Sequence, residues 1–184
     1  MKVLLESERL ILRAFNADDA LAMFDNWTSD PEVTEYLTWP THDSVETTRQ
    51  ILEKWLPLYK KPEYLNFAIV LKGTEQPVGN ISVVGYLEDR TLPVIGYCLS
   101  RRLWNKGYMT EACRRLLEYL FEQGFEKVRI DADERNIGSQ RVIEKCGGVW
   151  FETAEDERPL KGDTVMIKCY YVRRETLRSA KLKH

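Results

Sequence analysis

A chain of 184 residues with 43% hydrophobic content is long enough to bury one globular core and short for two, so one domain is expected over residues 1–184. Its 27 Lys and Arg stand against 29 Asp and Glu, a formal net charge of −2 that argues against a nucleic-acid binder relying on an excess of basic residues. No apolar run approaches membrane-spanning length, and Lys2 leads into Glu6, Glu8 and Arg9 rather than a sustained apolar region, so neither a membrane partner nor a signal peptide is expected.

Residues 9–15 alternate as a first strand, and Asp18 and Asp19 then open an apolar-periodic helix through Leu21, Met23, Phe24 and Trp27. A second helix is expected from Asp43, which has capping-box spacing to Glu46. Val45, Ile51, Leu52, Trp55 and Leu58 supply its stripe, and Pro57 and Pro62 end it. Residues 64–71, 78–86 and 92–99 are β-rich, with turns at 72–74 and 88–90. Next comes IGYCLSRRLWNKGYMTEACRRLLE, residues 95–118, where an apolar run passes through a basic loop into an amphipathic helix. Met109, Ala112, Cys113, Leu116, Leu117, Leu120 and Phe121 recur at three- and four-residue steps, and Gly124 supplies the stop. A strand at 128–133, a helix from about Gly138 to Cys146 and strands at 149–153 and 164–172 complete a mixed α/β pattern. Residues 173–184 read as a solvated basic tail.

The loop before the long helix suits an anion. First-turn amides lack intrahelical partners, the helix dipole is positive there, and Lys106, Arg101 and Arg102 stand just upstream. Gly107 would let a phosphate oxygen approach the backbone, although a solvated loop with surface arginines explains the same residues. An RNA-binding reading built on Arg101, Arg102, Arg114 and Arg115 is disfavoured by the acidic residues interleaved on the helix. The four cysteines, Cys98, Cys113, Cys146 and Cys169, form no CxxC pair and read as reduced thiols of a cytoplasmic protein. With only His42 and His184 as histidines, no metal is expected.

WNKGYMTEA followed by RNIGSQRVIEKCG, with ESERLILRAF and NWTSDPEVTEYLTWPTH upstream, resembles the GNAT superfamily of acetyl-coenzyme A (acetyl-CoA) dependent N-acetyltransferases. Within it, the chain is similar to the bacterial ribosomal-protein N-terminal acetyltransferases of the Rim type, over roughly residues 5–172. The resemblance implies a mostly antiparallel sheet, splayed between its fourth and fifth strands and flanked by about four helices. The pantetheine arm would pass between residues 94–99 and 128–133. It implies a pyrophosphate loop of Trp104, Asn105, Lys106, Gly107, Tyr108, Met109 and Thr110, flanked by Arg101 and Arg102; Arg141 and Lys145, one turn apart, could reach the phosphates, although an exposed helix face explains them nearly as well. Trp104, Asn105 and Met109 depart from the family's commonest residues.

The same resemblance places a backbone oxyanion donor near Cys98 or Leu99, an acid for the leaving thiolate at Ser139, and a pantetheine or thiol contact at Asn136. Ser139 and Asn136 also suit helix capping. Val94 stands where the family often has a Glu, which leaves water, Glu35, Glu155, Asp156 or Glu157 as the base. The acceptor, a protein N-terminus or small amine, would lie among Trp27, Tyr36, Trp39, His42 and Asp163. A non-catalytic acyl-CoA binding module acting through a partner is the alternative, and a homodimer is left open.

Overall fold

In the computed structural model, which describes residues 3–182, the β-rich runs join into one sheet. Its strands are β1 (Leu5–Glu6), β2 (Leu10–Arg13), β3 (Asn66–Leu71), β4 (Pro77–Leu87), β5 (Leu92–Leu99), β6 (Lys127–Asp133), β7 (Val149–Arg158) and β8 (Asp163–Arg173), in the order β1-β2-β3-β4-β5-β6-β8-β7. Every neighbouring pair is antiparallel except β5 and β6, because the helix between them carries the chain back across the sheet. That parallel pair registers only at Val94 with Arg129 and Ile95 with Ile130, whereas β6 pairs with β8 along its whole length. Past Ile95 the two strands part. This is the expected splay, between the fifth and sixth strands once Leu5–Glu6 is counted.

Six α-helices flank the sheet among the described residues, against about four expected: α1 (Asp19–Met23), α2 (Pro31–Thr34), α3 (Val45–Trp55), α4 (Tyr108–Glu122), α5 (Ile137–Lys145) and α6 (Arg174–Lys181). None is long and apolar enough to cross a membrane. The seven-residue stripe of α4 is buried as the spacing predicts and packs with Ile95, Val128, Ile130 and Ile143. Each of its leucines contributes about 1.5–3 kcal/mol of burial. On the other side Phe15, Met23, Trp27 and Leu52 pack on Ala68 and Val70.

Three local expectations change. The first helix passes into a π-helical turn at Phe24–Thr28, where the Ser29 hydroxyl donates to the Phe24 carbonyl at 2.6 Å and Asn26 Nδ2 donates to the Pro77 carbonyl at 2.7 Å. The cap of α3 is Ser44, which accepts from the Thr47 amide at 3.2 Å, while Asp43 accepts from the Thr47 hydroxyl at 2.6 Å. The third change is at the C-terminus. Arg174–Lys181 is helical, Leu177 is 3% exposed, and Arg174 donates to the Phe121 carbonyl while Lys181 pairs with Glu118 of α4. Gly147, at φ +83, admits this helix, since a Cβ there would lie 2.4 Å from the Thr176 carbonyl oxygen. Lys183 and His184, like Met1 and Lys2, lie outside the described residues. Leu177→Ala should cost about 2–4 kcal/mol in denaturant unfolding. A change below about 0.5 kcal/mol would show that the segment does not dock.

Candidate active site

The splay leaves backbone groups of β5 without a strand partner. The Ser100 amide donates to the Val78 carbonyl at 2.8 Å, so strand alternation turns the Leu99 amide and carbonyl to the opposite side, toward the departed β6. The Leu99 carbonyl accepts from the Trp104 indole Nε1 at 2.9 Å, which gives this unusual tryptophan a structural task. The Leu99 amide faces the gap.

From β5 the chain runs through a short 3-10 turn at Arg101–Leu103 and two left-handed residues, Asn105 at φ 59 and Gly107 at φ 80, into α4. Among the described residues no side chain caps α4, whereas Asp30, Ser44 and Asn136 cap α2, α3 and α5. Its first-turn amides therefore keep their capacity to bind an anion. The start of α4 is anchored by Glu111, which accepts from the Ser7 hydroxyl at 2.8 Å and from the Arg9 amide and Nε at 2.7 Å each. Burial works against ionisation of Glu111, but these donors outweigh it and hold the carboxyl below its ordinary range. Arg9 also lies over the Tyr108 ring at 4.2 Å and donates to the Lys106 carbonyl at 3.1 Å.

A cleft of about 560 Å³ opens between the end of β5, this loop and the first turns of α5. Of the expected residues, Cys98, Leu99, Trp104, Asn105, Gly107, Tyr108, Met109, Thr110, Asn136, Ser139 and Arg141 border it. Met109 does so while 7% exposed, its bulk packed into the core. Arg101, Arg102 and Lys106 are not brought in. Arg101 pairs with Asp30 at 2.9 Å and Glu32 at 2.5 Å, Arg102 donates to the Asn26 side-chain oxygen, and Lys106 Nζ donates to the Arg102 carbonyl at 2.9 Å. The cations that do border the cleft are Arg135, Arg141 and Lys145.

Sequence reasoning missed α2 and with it Glu32, Val33 and Leu37, which form one wall with Tyr36; the signal was Asp30-Pro31, a cap followed by proline in the first turn. It also missed Leu103, Arg135, Ile137, Gly138, Val142 and Tyr97. The Tyr97 hydroxyl lies 2.9 Å from Ser139 Oγ, across the splay. Asn136 accepts from the Ser139 amide at 3.0 Å and so is the cap of α5.

Beside Tyr36, Arg135 is held by Asp133 at 2.6 Å and lies 5.7 Å from the Tyr36 ring. Burial opposes the Asp133 charge, yet the Arg135 hydrogen bonds prevail and its carboxyl sits below the usual range. Trp27 is core, His42 is turned to Thr48 at 2.7 Å, and Asp163 pairs with Arg158, so of the expected acceptor residues only Tyr36 borders the cleft. Among the described lining residues the single carboxylate is Glu32, already paired with Arg101; Glu35, Glu155, Asp156 and Glu157 stand outside. Burial pushes the Cys98 thiol up to about 12, against the Asn80 backbone hydrogen bond, so it stays a neutral thiol at pH 7.

An anion-ready helix start beside a splayed sheet defines a class, and comparison names it: the chain belongs to the GNAT acetyltransferase domain family, whose model matches residues 9–149, and is an acetyltransferase. It is 29% identical over 140 residues to "Uncharacterized N-acetyltransferase p20" of Bacillus licheniformis, covering 76% of this chain and 78% of that protein. It shares its fold with the ribosomal-protein-S5-alanine acetyltransferase of Vibrio fischeri, with a TM-score of 0.79, 19% identity and coverage of 94% and 97%. A like fold, TM-score 0.80 at 16% identity with coverage of 91% and 93%, is that of the microcin C7 self-immunity acetyltransferase MccE, solved with acetyl-CoA and AMP.

Two outcomes follow. Glu111→Gln should lower stability by about 1–3 kcal/mol at pH 7. Because the folded carboxyl titrates below its unfolded value near 4.3, wild type should lose this advantage as pH falls below about 4 through the folded value, and a gap unchanged between pH 7 and 2 would contradict the assignment. Gly107→Glu should weaken acetyl-CoA binding at least about tenfold in calorimetry, since a carboxylate would occupy the helix start in a disfavoured left-handed backbone. Unchanged affinity in the folded variant would remove the loop from the site.

Proposed function

We propose that the chain is a single N-acetyltransferase domain that transfers an acetyl group from acetyl-CoA to a primary amine. The observation that carries this reading is an uncapped α4 start, with left-handed Gly107, opening into the same cleft as Ser139 where β5 leaves β6. Backbone amides of Tyr108, Met109 and Thr110 would hold the pyrophosphate, with Arg141 and Lys145 in place of Arg101 and Arg102. Bound acetyl-CoA supplies an activated thioester. The Leu99 amide, aimed at the gap, would steady negative charge developing on the carbonyl oxygen, and the Ser139 hydroxyl would donate toward the leaving sulfur. Asn136 acts by fixing Ser139, since its oxygen is spent on the cap.

Among the described residues the one carboxylate bordering the cleft, Glu32, is paired with Arg101, so the amine would arrive neutral or shed its proton to water. An α-amino group, with a pKa near 7.7–8.0, suits this better than a lysine side chain. A protein N-terminus is therefore the first acceptor class, which agrees with the Vibrio fischeri neighbour's named action on a ribosomal protein, and a small amine the second. The four free thiols suit a reducing, cytoplasmic setting.

Calorimetric titration with acetyl-CoA, coenzyme A and ATP, followed by thiol release against N-terminal peptides and polyamines, tests the reading. Binding of the first two but not ATP, then thiol release, is expected, with a rate that rises with pH through the acceptor's own pKa. Binding without release from any amine would instead favour a non-catalytic acyl-CoA module. No binding at all would end both readings.

A further inference from the structure

Tyr97 and Ser139 meet where the sheet opens. Tyr97 lies on β5 two residues beyond the last β5–β6 register pair, and Ser139 lies in the first turn of α5. Their hydroxyl oxygens are 2.9 Å apart, and the Tyr97 oxygen is also 3.3 Å from the Ser139 main-chain carbonyl. Both residues border the cleft. The phenol has one hydrogen and two acceptors to choose from. If it went to the main-chain carbonyl, the serine hydrogen would be drawn back to the phenol oxygen. If it goes to Ser139 Oγ, the shorter contact, the serine hydrogen is released to the cleft.

We infer that Tyr97 is a positioning residue for acetyl transfer, its phenol donating to Ser139 Oγ so that the serine hydrogen points at the leaving sulfur. Burial, reinforced by the nearby Cys113 thiol and opposed by the bond to Ser139, keeps the phenol protonated well beyond physiological pH. Tyr97 therefore retains its hydrogen throughout. The proton balance closes on Ser139 alone. The amine nitrogen bonds to the acetyl carbon, the carbon–sulfur bond breaks with its electron pair going to sulfur, Ser139 Oγ passes its proton to sulfur, and Oγ takes the proton shed by nitrogen. One proton moves from nitrogen to sulfur, and no outside acid, base or oxidant is needed. Asn136 fixes the Ser139 backbone through its amide and Tyr97 fixes the side chain through its oxygen, so the hydroxyl is held from two sides.

This inference rests on the acetyl-transfer reading, and its test separates the two. Tyr97→Phe, Ser139→Ala and the double variant are compared with wild type by steady-state kinetics and by thiolate absorbance of bound coenzyme A against pH. In wild type the bound thiol should ionise about 1 pH unit below the free thiol, because a hydroxyl aimed at sulfur favours the charged form. Each single variant should bring ionisation back toward the free value, and the double variant no further. Turnover at saturating acetyl-CoA should fall about tenfold in Tyr97→Phe with KM changed less than about twofold, and the Tyr97 change should cost nothing more in the Ser139→Ala background.

Equal losses from Tyr97→Phe in both backgrounds, or a loss of coenzyme A affinity with normal turnover, would make Tyr97 a brace between β5 and α5 and overturn the inference. So would a bound thiol that ionises like the free one in every protein. Wild type that binds no coenzyme A would instead sink the acetyl-transfer reading itself. Should Tyr97→Phe fold poorly, Ser139→Ala breaks the same contact from the other side, and a bound thiol that still ionises as low in that variant as in wild type overturns the inference equally.

Discussion

The constraint on which the rest depends is the brevity of the β5–β6 pairing. Two register pairs hold a parallel junction in the middle of the sheet, and beyond Ile95 the backbone of β5 faces a gap. Buried peptide groups without partners are costly, so the surroundings must supply them. Trp104 takes the Leu99 carbonyl, and Tyr97 reaches across to α5. The amide side is left for a ligand. Two helix starts face the same opening, but they differ. Asn136 spends its side chain on α5, while α4 begins at a left-handed glycine with no cap, which is why an anion is expected at α4 rather than α5.

Charge placement follows from how those elements are tied down. Glu111 carries three hydrogen bonds from the β1–β2 turn and so fixes the first turn of α4 against the sheet, with Arg9 lodged over Tyr108. Arg101 and Arg102 are used to fasten the loop before α4 to the α2 region and to Asn26. At the far side Arg158 and Lys161, near the tip of the β7–β8 hairpin, donate to main-chain carbonyls of residues 34, 35 and 37, which ends the α2 wall of the cleft against a fixed support. The basic residues thus divide between structure and site according to direction rather than sequence position.

That division marks what a sequence can tell. The α4 stripe was legible because seven apolar residues repeat at helical spacing and all seven are buried, and β5 was legible because a β-rich run ends where a basic loop begins. Gly107 was legible as the glycine where the basic loop turns into the helix, and it stands there at φ 80. Arg101 and Arg102 misled because adjacency to a loop says nothing of which way a long side chain turns. The helical C-terminal segment was hidden by its charge, since Leu177 is the only one of its residues that is buried. Tyr97 was hidden in an apolar strand, where an aromatic reads as core until its hydroxyl is seen to meet Ser139. α2 is too short for any periodicity and shows only through its cap and proline.

The most direct test of the account is residue-resolved hydrogen exchange with and without coenzyme A. The account predicts slowed exchange at the Leu99 amide and at Tyr108, Met109 and Thr110, with the α5 start little changed because Asn136 already protects Ser139. Coenzyme A bound tightly while those four amides exchange as before would contradict it.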